Sequence, residues 1–128
     1  MDQERFDKGL AVRKAVLGEA YVSKSLDSAD DFNRGFQEIL TEYCWGACWG
    51  DDTLDLKQRS LLNLGMIAAL NRMHEFELHF RGAINNGVTR EELRAILTQI
   101  TAYCGFPCGV ECFRIARKVF AELDGEAA

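Results

Sequence analysis

The sequence predicts an all-α fold. Three observations carry this: apolar residues recur at helical spacing, alternating β-branched runs are nearly absent, and 128 residues contain a single proline. A first helix is expected over residues 4–17, ended by Gly18. A second is expected after Ser28, where Ser28 and Asp31 resemble a capping box, with Phe32, Phe36, Ile39, Leu40 and Tyr43 at helical spacing. Gly46, Gly50 and the pair Asp51-Asp52 then read as a turn region. A third helix is expected over 54–71, with Leu61, Leu62, Leu64, Ile67 and Ala68 facing inward. The fourth, over 72–85, carries the apolar stripe Phe76, Phe80 and Ile84 and closes at Asn85-Asn86-Gly87. Thr89 with Glu92 three residues on forms a capping box for a fifth helix over 90–103. Gly105-Phe106-Pro107 interrupts, and Pro107 at a first helical position opens a last helix reaching about residue 123. The sum is about six helices with short loops in one domain covering 1–128.

Composition narrows the class of function. An apolar fraction of 48% and a charged fraction of 27% are those of a soluble globular protein, large enough to bury a core without metal or disulfide staples. Twenty acidic against fifteen basic residues, a net charge of −5, leave no continuous basic surface for nucleic acid or an anionic membrane. A local arginine pair can still hold a small anion. The charged start, Met1-Asp2-Gln3-Glu4-Arg5-Phe6, is followed by no apolar signal segment, and the longest apolar run, 61–70, is broken by Asn63 and too short to span a bilayer. A cytoplasmic location is the expectation, and the five cysteines are expected as thiols.

The densest chemistry lies in residues 71–83. Both histidines, His74 and His79, stand there beside Arg72, Glu75, Glu77 and Arg81. In a helix Glu75 and His79 are one turn apart on one face, so a carboxylate can orient an imidazole, with Arg72 upstream as an anion clamp. The same spacing also describes a structural ion pair at the core edge, and both readings stand at this point. Glu77 and Arg81 read as an exposed ion pair and His74 as solvent-facing.

Cys44 and Cys48 are four apart, as are Cys104, Cys108 and Cys112; redox dithiols and zinc knuckles set their cysteines closer. Cys108 and Cys112 read as core packing, whereas Cys104, at the break Tyr103-Cys104-Gly105-Phe106-Pro107, is a candidate pocket wall. Trp45 and Trp49 wall a ligand cavity or an interface, or fill the core. Arg59, beside an apolar run, reaches an anion in a pocket or lies on the helix surface. Phosphate loops, Gly-x-Ser-x-Gly elbows, His-Glu-x-x-His and EF-hand loops are absent, which points away from nucleotide, serine-hydrolase and metalloprotease chemistry.

The stretch from Arg72 to Ala83, followed by Asn85-Asn86-Gly87-Val88-Thr89-Arg90-Glu91-Glu92, resembles the central motif of the carboxymuconolactone decarboxylase family. Val12-Arg13-Lys14-Ala15-Val16-Leu17-Gly18 and Tyr103-Cys104-Gly105-Phe106-Pro107 resemble the two ends of the γ-carboxymuconolactone decarboxylases. With Asp31-Phe32-Asn33 and Trp45-Gly46, the similarity runs over roughly 10–123. The wider family includes alkylhydroperoxidase D-like thiol peroxidases, whose motif is Cys-x-x-Cys-x-x-x-His. If His79 takes the histidine place, the cysteine places fall on Arg72 and Glu75, both redox-inert.

The resemblance implies an alkylhydroperoxidase D-like helical fold assembled as a homo-oligomer, a trimer or hexamer, with neither metal nor organic cofactor. It also implies decarboxylation of a small anionic lactone, 4-carboxymuconolactone, to 3-oxoadipate enol-lactone. In that reading His79 is proton donor or oxyanion hydrogen-bond donor, Glu75 orients it, Arg72 and Arg59 clamp carboxylates, and Trp45 and Cys104 wall the pocket. Departures exist: Tyr43-Cys44 stand where the decarboxylases carry His-Ala, the same tract adds Cys48, and Cys108 and Cys112 sit where small or polar residues are more familiar. These are neutral packing swaps or marks of a paralogue acting on a related lactone or acid. A thiol-based antioxidant protein using Cys104, Cys108 or Cys112, and a non-catalytic family member, are the competing expectations.

Overall fold

The computed structural model describes residues 1–125, all helical apart from turns and short connections. The order is α1 (Gln3–Leu17), α2 (Glu19–Asp27), α3 (Arg34–Ile39), a π-helix (Leu40–Cys48), α4 (Leu56–Ala69), α5 (Met73–Asn85), α6 (Arg90–Cys104) and α7 (Phe106–Leu123). The all-α class is as expected, with seven α-helices and a π-helix among the described residues in place of about six helices. No described helix is long and apolar enough to cross a membrane. The chain forms two compact units, the first ending at Arg59 and the second beginning at Ser60.

In the first unit α1 lies against the π-helix at a glycine crossing. A Cβ on Gly9 would come 2.0 Å from the Thr41 carbonyl oxygen, and one on Gly46 would come 2.3 Å from that of Arg5. Only residues without a side chain permit this backbone approach. The unit's core is Val16, Trp45 and Trp49, with Val12, Leu17, Leu40, Cys44 and Leu56 against it; the indole centroids are 4.8 Å apart. Gly46 is thus a buried packing residue inside a helix and not part of a turn.

Two further expectations fail in this unit. Helix α2 follows α1 after one residue, Gly18 at φ +94°, and buries only Val22, so no apolar stripe marked it beyond the Gly18 stop. Ser28 caps the C-terminus of α2 and opens nothing. The Asp30 carboxylate accepts the backbone N–H groups of Phe32 (3.0 Å) and Asn33 (3.3 Å), while Asn33 Oδ1 accepts that of Asp30 (2.8 Å). These reciprocal bonds hold a turn through residue 33, so the chain becomes helical only at Arg34, and Asp31 pairs with Arg34 at 2.7 Å instead of capping. The stripe Phe32, Phe36, Ile39 and Tyr43 keeps its helical spacing but faces outward, with Phe32 97% exposed.

In the second unit Leu64, Phe76, Phe80, Leu93, Leu97, Cys112 and Val119 form the centre of the core. Phe80 meets Phe76 and Phe120 edge-on at 6.0 and 5.4 Å between centroids. Leu64 and Ala68 face this core as expected, with Leu61 and Ile67 half-buried beside them, whereas Leu62 points to solvent. The Thr89–Glu92 capping box is present in both directions: Glu92 N–H donates to Thr89 Oγ1 at 3.1 Å and Thr89 N–H to Glu92 Oε1 at 2.9 Å.

Candidate active site

Helix α5 carries the histidine. Its buried stripe, Phe76 and Phe80, is anchored in the second unit's core, which places His79 one step round the helix at the core's edge, half-buried. Asn63, projecting from α4, donates its side-chain N–H to His79 Nδ1 at 3.1 Å. An Nδ1 that accepts carries no proton, so in the neutral ring the proton sits on Nε2. Burial pulls the His79 pKa below its ordinary value of 6.5, and the Glu75 carboxylate opposes this only in part. At neutral pH the residue is therefore an uncharged imidazole presenting an Nε2–H donor, suited to meet a developing oxyanion.

Glu75 lies exposed in the first turn of α5, where a carboxylate also complements the helix dipole. It acts on His79 through charge, while the hydrogen bond that fixes the tautomer comes from Asn63. Asn63 was not among the site residues expected from sequence; its one signal there was that it broke an apolar run.

Arg72 is the N-cap of α5, and its backbone carbonyl accepts from Phe76 N–H at 2.9 Å. Asn71 ahead of it takes a left-handed φ of +58°, a conformation asparagine tolerates, and this turns the chain from α4 into α5. The Arg72 side chain is exposed at the start of the helix that carries His79. Glu77 and Arg81 pair at 3.2 Å as expected, but half-buried and not exposed, because Lys118 and Glu122 extend the pair into a partly solvated network that ties α5 to α7. His74 is exposed, as expected.

Cys104 ends α6 exposed and borders two grooves of the second unit. One, of about 370 Å³, is mainly apolar and lined by Leu61, Gly65, Ile96, Ile100 and Tyr103; the other, of about 330 Å³, is lined by Ala68, Asn71, Pro107 and Cys108. Cys108 Sγ donates to the Ala68 carbonyl at 3.5 Å. Burial first, then Cys108 beside it, pushes the Cys112 thiol up to about 12. A thiol held protonated in this way is a poor nucleophile.

Arg59 and Trp45 belong to the first unit. Arg59 is committed locally, Nη2 donating to the Asp51 carbonyl at 2.7 Å and Nη1 to Cys48 Sγ at 3.8 Å, with Nε buried and unpartnered. It ties the 51–55 loop to the start of α4. Trp45 is a core residue stacked on Trp49, only 3% exposed. The structure therefore brings Asn63 to His79 and sets Glu75 near enough to act on it through charge, leaves Arg72 exposed at the start of α5, and gives Arg59 and Trp45 structural contacts in the first unit.

The domain is all-α and carries a half-buried histidine on α5. The chain belongs to the carboxymuconolactone decarboxylase family, whose model matches residues 34–118. It is 45% identical over 118 residues to the nitrosuccinic acid decarboxylase npaB of Metarhizium robertsii, covering 92% of this chain and 82% of that protein. It is 37% identical over 122 residues to the 4-carboxymuconolactone decarboxylase of Acinetobacter baylyi, covering 95% and 91%. A 4-carboxymuconolactone decarboxylase of Pseudomonas putida shares 44% identity over 45 residues, 35% of this chain and 94% of that one.

Proposed function

We propose that the protein is a carboxy-lyase that decarboxylates a small dicarboxylic acid without a cofactor, with His79 as the hydrogen-bond donor to the developing oxyanion. The observation that carries the reading is the His79–Asn63 contact, which leaves an Nε2–H on an imidazole that burial keeps neutral. Loss of carbon dioxide leaves the electron pair of the broken bond on the carbon that bore the carboxylate. In 4-carboxymuconolactone that pair runs through a carbon–carbon double bond onto the lactone carbonyl, giving a dienolate, so the substrate itself supplies the electron sink. The Nε2–H stabilises the oxyanion, and one proton is then taken up at carbon to give 3-oxoadipate enol-lactone and carbon dioxide. A neutral imidazole is a hydrogen-bond donor and not an effective acid toward carbon, so the oxyanion role is the one proposed. Glu75 sets how readily the ring becomes charged. Arg72 is the proposed carboxylate clamp, through the bidentate match of guanidinium to carboxylate.

A second substrate has its own support. Identity is higher, 45% against 37%, to the relative named for nitrosuccinic acid. The same device serves there: a carboxylate on the carbon bearing a nitro group leaves a nitronate, again an oxyanion adjacent to the reacting carbon. The Cys44, Cys48, Cys108 and Cys112 departures fit such a paralogue.

Both acids are to be assayed side by side, by ultraviolet consumption of substrate and by carbon dioxide release. Turnover of either above the uncatalysed blank, retained when all five cysteines are changed to serine, is the expected result. Turnover of neither removes the carboxy-lyase reading, and cysteine-dependent peroxide reduction would put the thiol reading in its place. Arg72→Lys should raise KM while leaving kcat within a few-fold; an effect on folding alone would make Arg72 a structural residue.

A further inference from the structure

Helices α6 and α7 border a groove outside the His79 site. The two helices meet closely at Thr101 and Gly109, where a Cβ on the glycine would come 2.0 Å from Thr101 Oγ1. From that crossing toward Arg90 and Asp124 lies a groove of about 370 Å³, a volume ordinary for small-molecule sites. Its floor is sealed and apolar: Phe80, Leu93 and Leu97 are fully buried beneath it. Phe113 and Phe120 also line it, and Ala116 and Ala121 fill little of the space beside them. His79 is not among the lining residues.

The rim is cationic although the chain as a whole is acidic. Arg90, Arg94 and Arg117 line the groove against one carboxylate, Asp124, while the chain carries a net charge of −5. Arg90 is committed, paired with Asp124 and lying over the Phe120 ring at 4.3 Å, and this pair closes one end. Arg94 pairs with Glu91 of its own helix at 2.7 Å, but both side chains stand largely in solvent, where such a pair contributes little and is easily exchanged. Arg117 has neither a hydrogen bond nor an ion pair with any described residue. It stands one turn from both Phe113 and Phe120 on α7, so its guanidinium and the two rings share a face. An apolar floor beside uncompensated positive charge is complementary to a molecule that is apolar at one end and anionic at the other.

We propose that this groove is a second ligand site, separate from His79, and that it takes an amphipathic carboxylate. The apolar body lies against Phe80, Leu97, Phe113 and Phe120, and the single acid group sits on Arg117 with Arg94 beside it. The planar guanidinium donates two parallel hydrogen bonds to a carboxylate, which fixes the direction in which the ligand enters. Asp124 at the closed end repels a second acid group, so the site selects a monocarboxylate. It stands or fails independently of any catalytic role for His79.

Naphthalene-2-carboxylate is the probe, titrated by calorimetry, with naphthalene-2-carboxamide and acetate as controls. The carboxylate should bind saturably and raise the thermal midpoint, as a ligand of the folded state does. The amide should bind roughly tenfold more weakly, the worth of a charge-assisted hydrogen bond, and acetate should give no measurable heat. Arg117→Gln loses no partner in the free protein, so it should weaken the probe roughly tenfold while its midpoint without ligand stays at or above that of the wild type. Ala121→Leu fills the groove with a good helix former and should abolish binding at unchanged helix content. His79→Ala should bind the probe with wild-type affinity. The proposal is overturned by no saturable binding in the wild type, by equal affinity for the amide, or by wild-type affinity in either groove variant. Loss of binding in His79→Ala overturns it as well, since the probe would then occupy the active site. So does an affinity that weakens as protein concentration rises, because a second copy would then fill the groove.

Discussion

His79 is a histidine whose charge state is set by where α5 places it. Because burial depresses its pKa, the folded protein holds the ring neutral while the unfolded chain takes up a proton near pH 6.5. The stability this residue contributes is thus fully present above pH 6.5 and is lost as the pH falls below that value through the lower folded pKa. Thermal midpoints measured against pH should show this acid-side loss in the wild type and a smaller one in His79→Gln. Catalysis should follow the same limb. If the neutral Nε2–H is the working form, kcat/KM falls as the pH drops through the folded pKa, and His79→Ala loses roughly 10²–10³-fold, as for a deleted oxyanion donor. Asn63→Asp sharpens the test: a carboxylate at Nδ1 draws the proton there and raises the pKa, so the acid limb should move to higher pH and neutral-pH activity should drop. A gain in rate on acidification, or a more active Asn63→Asp, would instead make the imidazolium the acid. Spacing alone paired Glu75 with His79, because residues four apart on one helix are visible in a sequence. Asn63 was not visible as a partner, since it reaches His79 from another helix.

Among the elements, those with local punctuation were legible and those shaped by tertiary contact were not. The Thr89–Glu92 box and Pro107 marked α6 and α7 because their signals lie within a few residues of the boundary they set. The start at Arg34 depends on reciprocal Asp30–Asn33 hydrogen bonds that compete with a cap at Ser28, and Leu40–Cys48 differs from an α-helix only in which carbonyl each N–H chooses. Glycines test this distinction directly. Gly9 touches the Thr41 carbonyl region of the π-helix, so Gly9→Ala must push α1 away and should destabilise the first unit by about 1–3 kcal/mol. Gly65, within α4, has nothing within 4 Å of its missing Cβ, so Gly65→Ala should stabilise by roughly 0.5–1 kcal/mol through helix propensity. Chemical denaturation followed by tryptophan emission for the first variant, and by circular dichroism for the second, reads both. Equal effects at the two positions would mean that helix propensity, and not the backbone crossing, governs Gly9.

At the scale of the molecule, large apolar residues stand exposed in rows at helical spacing, a pattern that marks an interaction surface when the rows form a patch. In the first unit Phe32, Phe36, Ile39 and Tyr43 form an exposed stripe at helical spacing. In the second, Leu62 and Met66 of α4 form one with Leu70 just past its end, and Phe106, Val110 and Phe113 form another on α7 beside a groove they share with Arg114 and Arg117. The sequence displayed the spacing of these stripes but not their direction, because an apolar helix face looks the same whether its partner is the core or another subunit. The occupant we propose is a second copy of the chain, in keeping with the homo-oligomer that the family resemblance implies, since a face apolar at its centre and charged at its rim is how permanent self-assemblies are built. Sedimentation or light scattering across micromolar concentrations should give a mass that is a multiple of the 14.4 kDa chain, with a thermal midpoint that rises with protein concentration. The double change Phe32→Ser and Phe36→Ser removes no core contact, because both side chains lie exposed, so it should lower the assembled mass while leaving helix content unchanged. A wild type that sediments at the single-chain mass at every concentration would leave these stripes without a partner of their own kind.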